Sequence, residues 1–559
     1  MPVPPERNLS IIYPGRDVNI SRFPRFIDQC DIFTPNLAFS CIIRSWKFHL
    51  STKEFALLKS HQFWVVGILV CFIFTLCFPL FTQGGPSAQK TFATLPYFPC
   101  YRTLETVYAD AENLANAHPN LAHWLDIGDS WVKQNSGGAS GYDINILKLT
   151  NQDTDGDKPV LFVMSALHAR DLAPVELNLR FAEQLLSGYG NDPEITWLLD
   201  EVEIHLLLVA NPDGRAVVEQ QIANGNPGAG GVYARMKNLN AVTCSDSDYT
   251  GTDLRRNFSL EWEGVYSGCL NEYSGTSALS EPESSSIQAY FDDVFPDYRD
   301  GDPFDIAEVS GLLLNIESYG DIFRYPYFYT YNDAPEETAL YTLANKLAYD
   351  LAAYPNNPSA LLHGAPEDYV YAELGIPALA YAMGNKYNGK YFMYCSEFEG
   401  TLATNLEMLT RAAKAAFSPY ILPAGPEVTN ISLQSHEENG QAVWQLSASA
   451  KTNLYRLPSQ PSPIVAAAAY SIDSAPWKEG AETLPLQAAD GNWDKDEEAL
   501  VATLDVSNLQ PGQHRVYVQA ALSDGTVGLP SAGTFTVTDE PLPTPPPTGY
   551  MLYLPLINK

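Results

Sequence analysis

The 559-residue sequence predicts an α/β fold with a doubly wound, mostly parallel sheet, followed by an all-β sandwich of immunoglobulin or fibronectin-like type. Three observations carry this expectation. Between about residues 95 and 422, segments of helical period alternate with apolar runs of strand length, the pattern of βα units wound around a sheet. From 424 to 538 the runs are short, alternate polar with apolar, and are broken by Gly, Pro, Asp and Asn, as in a sandwich. A polyproline stretch, "DEPLPTPPPTG", then sets off a last apolar tail over 539–559.

Residues 1–60 show no periodicity that assigns them to a domain. The run Phe63–Phe81, "FWVVGILVCFIFTLCFPLF", carries no charge. As a helix rising about 1.5 Å per residue it would span roughly 28 Å of hydrocarbon. Arg44, Lys47, Lys53 and Lys59 precede it and a neutral "TQGGPSAQ" follows, which places the N-terminus inside and the rest outside. Residues 61–82 are therefore expected to be a transmembrane helix that anchors the chain at the cell surface. The small residues after the run equally fit a cleavable signal peptide and a secreted product, with the residues before it an extension from a misplaced start.

Beyond residue 95, "TLETVYADAENLANAH" has helical spacing, "KPVLFVMSA" reads as a strand, and "PVELNLRFAEQLL" returns to helical period. "EVEIHLLLVA", "GLLLNI" and "IPALAYAM" are further strand-length apolar runs bounded by Gly or Pro. In the last third, "AVWQLSA", "ALVATLDV" and "HRVYVQAAL" read as sandwich strands, with a turn at "NLQPGQH".

With 33 basic and 66 acidic side chains, the formal charge of −33 repels phosphate backbones and argues against a nucleic-acid partner. Cys100, Cys244, Cys269 and Cys395 lie beyond the apolar run. Their even number suits two disulfides in an oxidising compartment, and four cysteines allow three pairings.

Six short motifs fall at strand ends: "HARD" at 168–171, "NPDGR" at 211–215, "DLRRNF" at 253–258, "SGTSALSEPES" at 274–284, "ESYGDIFRYPY" at 317–327, and "EDYVYAELGIPALAYAMG" at 367–384. In order and spacing, over roughly residues 100–420, they resemble the carboxypeptidase A/B-like zinc peptidases. The resemblance implies a doubly wound sheet with one zinc at the carboxyl ends of its strands. It also implies peptide or protein C-termini as ligands.

Position by position, the resemblance implies an altered site. His168 matches the first zinc ligand. The second, normally Glu, is Asp171, one methylene shorter, and the third, normally His, is Glu317. One His with two carboxylates is a harder set, so the zinc would be weakened, absent or replaced by another divalent ion. The general-base position is Ala382, and the position of the tyrosine that closes on substrate is Ala360. A methyl group cannot take a proton from water, and such transfer is worth about 10² to 10⁴ in rate.

Arg256 matches a carboxylate-binding arginine, while the Asn expected before it is Arg255. Met236 stands at the oxyanion arginine's position, with Arg235 beside it. Tyr319 and Glu367 complete the expected substrate contacts, Glu367 favouring a basic side chain. A disulfide that brackets this loop in similar proteins implies Cys244–Cys269 and leaves Cys100 with Cys395. His205 reads as a core residue, and His363 as the candidate surrogate ligand. The sequons at Asn257 and Asn430 carry little information.

Two readings follow. One is an exported, catalytically impaired or inactive family member that binds peptide C-termini. The alternative is an active metallocarboxypeptidase with a variant metal site.

Overall fold

The computed structural model describes residues 93–538, except 226–233, 245–248, 266, 301–303, 358–359, 385–389, 439–440, 453–461 and 479. The apolar run at 61–82 and the tail at 539–559 lie outside the described residues. Among those described, no helix is long and apolar enough to cross a membrane.

The strands of the first region are β1 (Thr94–Leu95), β2 (Phe98–Arg102), β3 (Ala122–Asp129), β4 (Asp143–Leu149), β5 (Val160–Ser165), β6 (Glu203–Leu207), β7 (Leu312–Ser318), β8 (Ile322–Arg324), β9 (Tyr354–Pro355) and β10 (Ala378–Met383). Its helices are α1 (Leu104–Ala117), α2 (Trp131–Asn135), α3 (Leu172–Gly188), α4 (Pro193–Glu201), α5 (Pro212–Ala223), α6 (Pro282–Val294), α7 (Glu337–Leu347), α8 (Pro366–Leu374) and α9 (Cys395–Ala415). Eight strands form one sheet in the order β3-β4-β6-β5-β7-β10-β8-β9.

The sheet is mixed, which corrects the expectation of a mostly parallel one. Strands β6, β5, β7 and β10 run parallel at its centre, but β3–β4, β4–β6 and β8–β10 pair antiparallel. Connection length decides this. A parallel return needs a crossover of a dozen or more residues, as α3 and α4 supply between β5 and β6. Only Tyr319–Asp321 separates β7 from β8, so the chain turns straight back.

The central strands are buried on both faces, every residue of β5, β7 and β10 included, which explains why they read as unbroken apolar runs. Helix α3 buries a broad apolar face: Leu172, Val175, Leu179, Phe181, Leu185 and Leu186 are all at most 3% exposed. Helix α4 starts on a Pro after Asp192, whose side chain accepts from the backbone N–H groups of Glu194 and Ile195. The structure pairs Cys100 with Cys395, tying β2 to the start of α9, and Cys244 with Cys269.

After a short 3-10 turn at Leu422–Ala424 the remaining strands are β11 (Glu427–Glu438), β12 (Gln441–Lys451), β13 (Val465–Ile472), β14 (Leu484–Pro485), β15 (Gln487–Ala488), β16 (Glu497–Leu504), β17 (Gly512–Leu522) and β18 (Ser531–Val537). They form two four-stranded antiparallel sheets, β11-β12-β16-β15 and β14-β13-β17-β18. Leu446, Val465, Leu500, Val516 and Phe535 from both sheets meet in one apolar cluster.

These sheets are not loosely tethered. Trp197 of α4, fully buried, lies 5.5 Å from Trp477, 5.7 Å from Phe417 and 6.1 Å from Tyr517, ring centre to ring centre. Around this aromatic knot, Arg515 pairs with Asp200 at 3.0 Å, Arg411 with Glu427 at 3.0 Å, and Lys414 with Glu194. Trp477 and Lys478 also border a cleft with Val160 and Glu203, where β5 and β6 begin. The C-terminal sheets thus dock at the amino ends of the central strands. The carboxyl ends, where an open α/β sheet carries its ligand site, are at the other end of these strands.

Candidate functional site

At the carboxyl end of β5 the chain leaves the sheet through Leu167–Arg170 and enters α3 at Asp171. Nε2 of His168 lies 3.0 Å from Oδ1 of Asp253, which leaves Nδ1 as the ring nitrogen that can ligate. Burial alone would lower the His168 pKa, but the charge and hydrogen bond of Asp253 outweigh it and raise it. Asp253 also accepts the backbone N–H of Arg255 at 3.2 Å, and its second oxygen meets Nε of Arg256 at 3.2 Å. One carboxylate therefore fixes the histidine and the paired arginines together.

Asp171 is 1% exposed and stands at the helix cap position without capping the helix. Burial pushes its carboxyl up to about 7; Glu317 adds to the shift, while His168 and the backbone of Ser318 oppose it. Its Oδ1 has no hydrogen-bond partner. Such an orphaned buried oxygen is what a cation would relieve.

Glu317 is the next to last residue of β7. Side chains two apart share a face, so Asn315 and Glu317 point the same way. Arg255 meets both ends of this face. Its Nη1 lies 2.7 Å from Oε2 of Glu317 and its Nη2 lies 3.2 Å from Oε1 of Glu367, while Asn315 donates to that same Glu367 oxygen at 2.8 Å. The guanidinium also sits 5.4 Å from the ring centre of Phe328. Arg324 approaches the other oxygen of Glu317 at 3.9 Å.

Arg255 was expected to face substrate and Glu367 to select a basic side chain. Both instead lie inside: Arg255 is 5% exposed, Glu367 is fully buried, and the two form an ion pair at 3.2 Å. Arg256 is the more open arginine, about a fifth exposed. Gly364 sets its position. With φ near +70°, a Cβ on Gly364 would come within 2.4 Å of the Arg256 carbonyl oxygen, so only glycine permits this approach.

Ala382 aligns with Glu317 across the β7–β10 pair and is buried, so a methyl group stands at the position to which the resemblance assigns a base. Ala360 is exposed on a loop. Arg235 donates to the backbone carbonyls of Asn238 and Thr250, each at 2.8 Å. Met236 offers its sulfur to Arg170 at 3.5 Å. Tyr319 is half-buried and packs edge-on against Tyr391 at 4.9 Å, and Arg170 lies 3.4 Å over that same ring.

His363, considered as a surrogate ligand, instead turns to the carbonyl of Glu261 and the carboxylate of Glu263. His205 is buried between Glu203 and Tyr290, a core residue as read. Asn257 is fully buried with its amide on Ser274 and Ser277, so the folded chain does not offer that sequon. Sequence reasoning missed Asp253, Asn315, Phe328 and Tyr391. Asp253 was readable, since a carboxylate two residues before an arginine pair is an obvious counter-charge.

The geometry can now be set against known proteins. The profile of the zinc carboxypeptidase family matches residues 107–408, more than half of the chain. The chain belongs to the zinc carboxypeptidase family. Carboxypeptidase A2 of Rattus norvegicus is 28% identical over 328 residues, covering 56% of this chain and 67% of that protein. Carboxypeptidase B of Bos taurus is 27% identical over 291 residues, covering 52% and 61%. The crystal structure of the carboxypeptidase A from Helicoverpa armigera aligns over 56% of this chain and 74% of its own, at 21% identity and a TM-score of 0.44. The chain spans about half to two thirds of the length of the curated relatives it matches.

Family membership brings zinc into question, and the donor set answers it. His168 and Asp171 each keep an atom for a metal, but the Glu317 carboxylate faces a guanidinium at 2.7 Å. A dication placed there would face a fixed positive charge, a repulsion of about 4 kcal/mol per unit of charge at 4 Å and an effective dielectric of 20. As arranged, these residues do not fit a three-ligand zinc centre.

Proposed function

We propose that this zinc carboxypeptidase family member holds the C-terminal end of a peptide or protein without hydrolysing it. The observation that carries the reading is Ala382: the row on β10 beside Glu317 offers a buried methyl group and no proton acceptor. Without a base to activate water, the acyl carbon of a bound peptide meets no nucleophile. The zinc common to the family would, with Asp171 and Glu317 at two ligand positions, be weakly held, absent or replaced by another divalent ion. What remains is recognition. Arg256, steered by Asp253 and partly exposed, supplies the cation for a terminal carboxylate. Tyr319 and Tyr391 pack edge-on against each other, with Arg170 over the Tyr391 ring, and offer an aromatic surface to a bound peptide.

We further read the domains as 95–422 and 424–538, the second being an immunoglobulin or fibronectin-like sandwich, with 539–559 as linker and tail. Two disulfides support export to an oxidising compartment, by way of residues 61–82 as anchor or signal. A charge of −33 leaves nucleic acid an unsuitable partner.

Calorimetric titration with matched peptides tests the reading. A peptide with a free C-terminus is expected to bind at least about ten-fold tighter than its C-terminal amide, and Arg256→Ala to abolish that difference. Equal binding of acid and amide, or none, would contradict it.

A further inference from the structure

We propose that Arg255 is a built-in cation which supplies, within the folded chain, the charge balance that a metal supplies in the family. Two carboxylates from different elements, Glu317 on β7 and Glu367 on α8, are 7% and 0% exposed, and the Arg255 guanidinium contacts both. Burying either carboxylate without a partner would be strongly destabilising. The planar guanidinium offers donors in a fixed fork, which lets it bridge two oxygens from separate residues. Phe328 shields the ion pairs from water on one side.

The substitutions are complementary. Relative to the family pattern, Glu317 introduces a negative charge where a neutral ligand stands, and Arg255 introduces a positive one where Asn stands. Each substitution alone would leave its buried charge without the partner it has here; the two offset one another, and Arg255 serves Glu367 as well. Arg255 also belongs to the same short turn as Asp253, which holds His168, so the internal cation sits at the former metal centre. This inference does not depend on whether peptides bind.

The test uses Zn²⁺ and Co²⁺ alone, with thermal unfolding and metal content as readouts. The wild-type chain is expected to show the same melting temperature in chelator and in zinc, and to keep no metal after dialysis. Arg255→Asn should melt lower in chelator and be restored by zinc, with about ten-fold or greater gain in Co²⁺ affinity. The double variant Arg255→Asn with Glu367→Gln leaves Glu317 as the one uncompensated carboxylate of the pair and should respond to zinc in the same way. A chain recovered folded only from zinc-supplemented medium also counts for the proposal. A wild-type chain that retains one zinc, lost in His168→Ala, would overturn it. So would variants that are destabilised, or fail to fold, with no response to metal.

Discussion

Single charged residues, taken one by one, set the chemistry of this chain. Asp253 holds the His168 ring, the Arg256 guanidinium and the backbone N–H of Arg255; remove it and two side chains and the turn that carries Arg255 lose their reference. A buried acid away from the site reports on the same economy of charge. Glu283 accepts from the backbone N–H of Trp131 at 2.8 Å and from Asn238 at 3.2 Å. Burial nevertheless pushes its carboxyl from an ordinary 4.5 up to about 8. Asp368 is pushed by burial from 3.8 to about 7.

For an acid whose folded value is raised, the stabilising form is the protonated one. Its contribution is complete below the unfolded value and is lost as pH climbs to the folded value. These groups should therefore lower stability from about pH 4, up to about pH 7 for Asp368 and about pH 8 for Glu283, by up to about 1.4 kcal/mol per pH unit each. Urea midpoints across that range should show a shallower fall in Glu283→Gln. Identical slopes in variant and wild type would remove Glu283 from the explanation.

At the scale of elements, periodicity was an accurate guide where burial is symmetrical. "KPVLFVMSA", "GLLLNI" and "IPALAYAM" are β5, β7 and β10 because strands covered on both faces are apolar throughout. Direction was not legible. Whether neighbours run parallel depends on connection length and on which edge the chain returns to, and apolar runs carry neither. The short step from β7 to β8 could have warned of an antiparallel margin. The site was legible in its residue types and their order, so that His168, Asp171, Glu317, Ala382 and Arg256 all lie at or beside the carboxyl ends of three adjacent strands or on the turn facing them. What the sequence concealed was pairing. Arg255 reads as a substituted binding residue, and only the proximity of β7 to α8 turns it into a bridge between Glu317 and Glu367.

Over the whole molecule, the C-terminal sheets share buried side chains with the α/β region, Ala475, Tyr517, Leu529 and Ala532 among them. An interface built from a fully buried tryptophan and several ion pairs should couple the two regions. Calorimetry is expected to give one unfolding transition, and Trp197→Ala to cost about 3 to 5 kcal/mol while keeping it single. Two resolved transitions would mean the sheets are an independent appendage. Docked where β5 and β6 begin, they stiffen the scaffold.

On the reading proposed above, the family's fold persists here without its hydrolytic chemistry. The most direct test is to incubate the chain with saturating zinc and peptides ending in Lys, Arg or Phe, and to follow release of the last residue by mass spectrometry. No release above the rate without protein is expected. Release that stops in chelator and disappears in His168→Ala would contradict it.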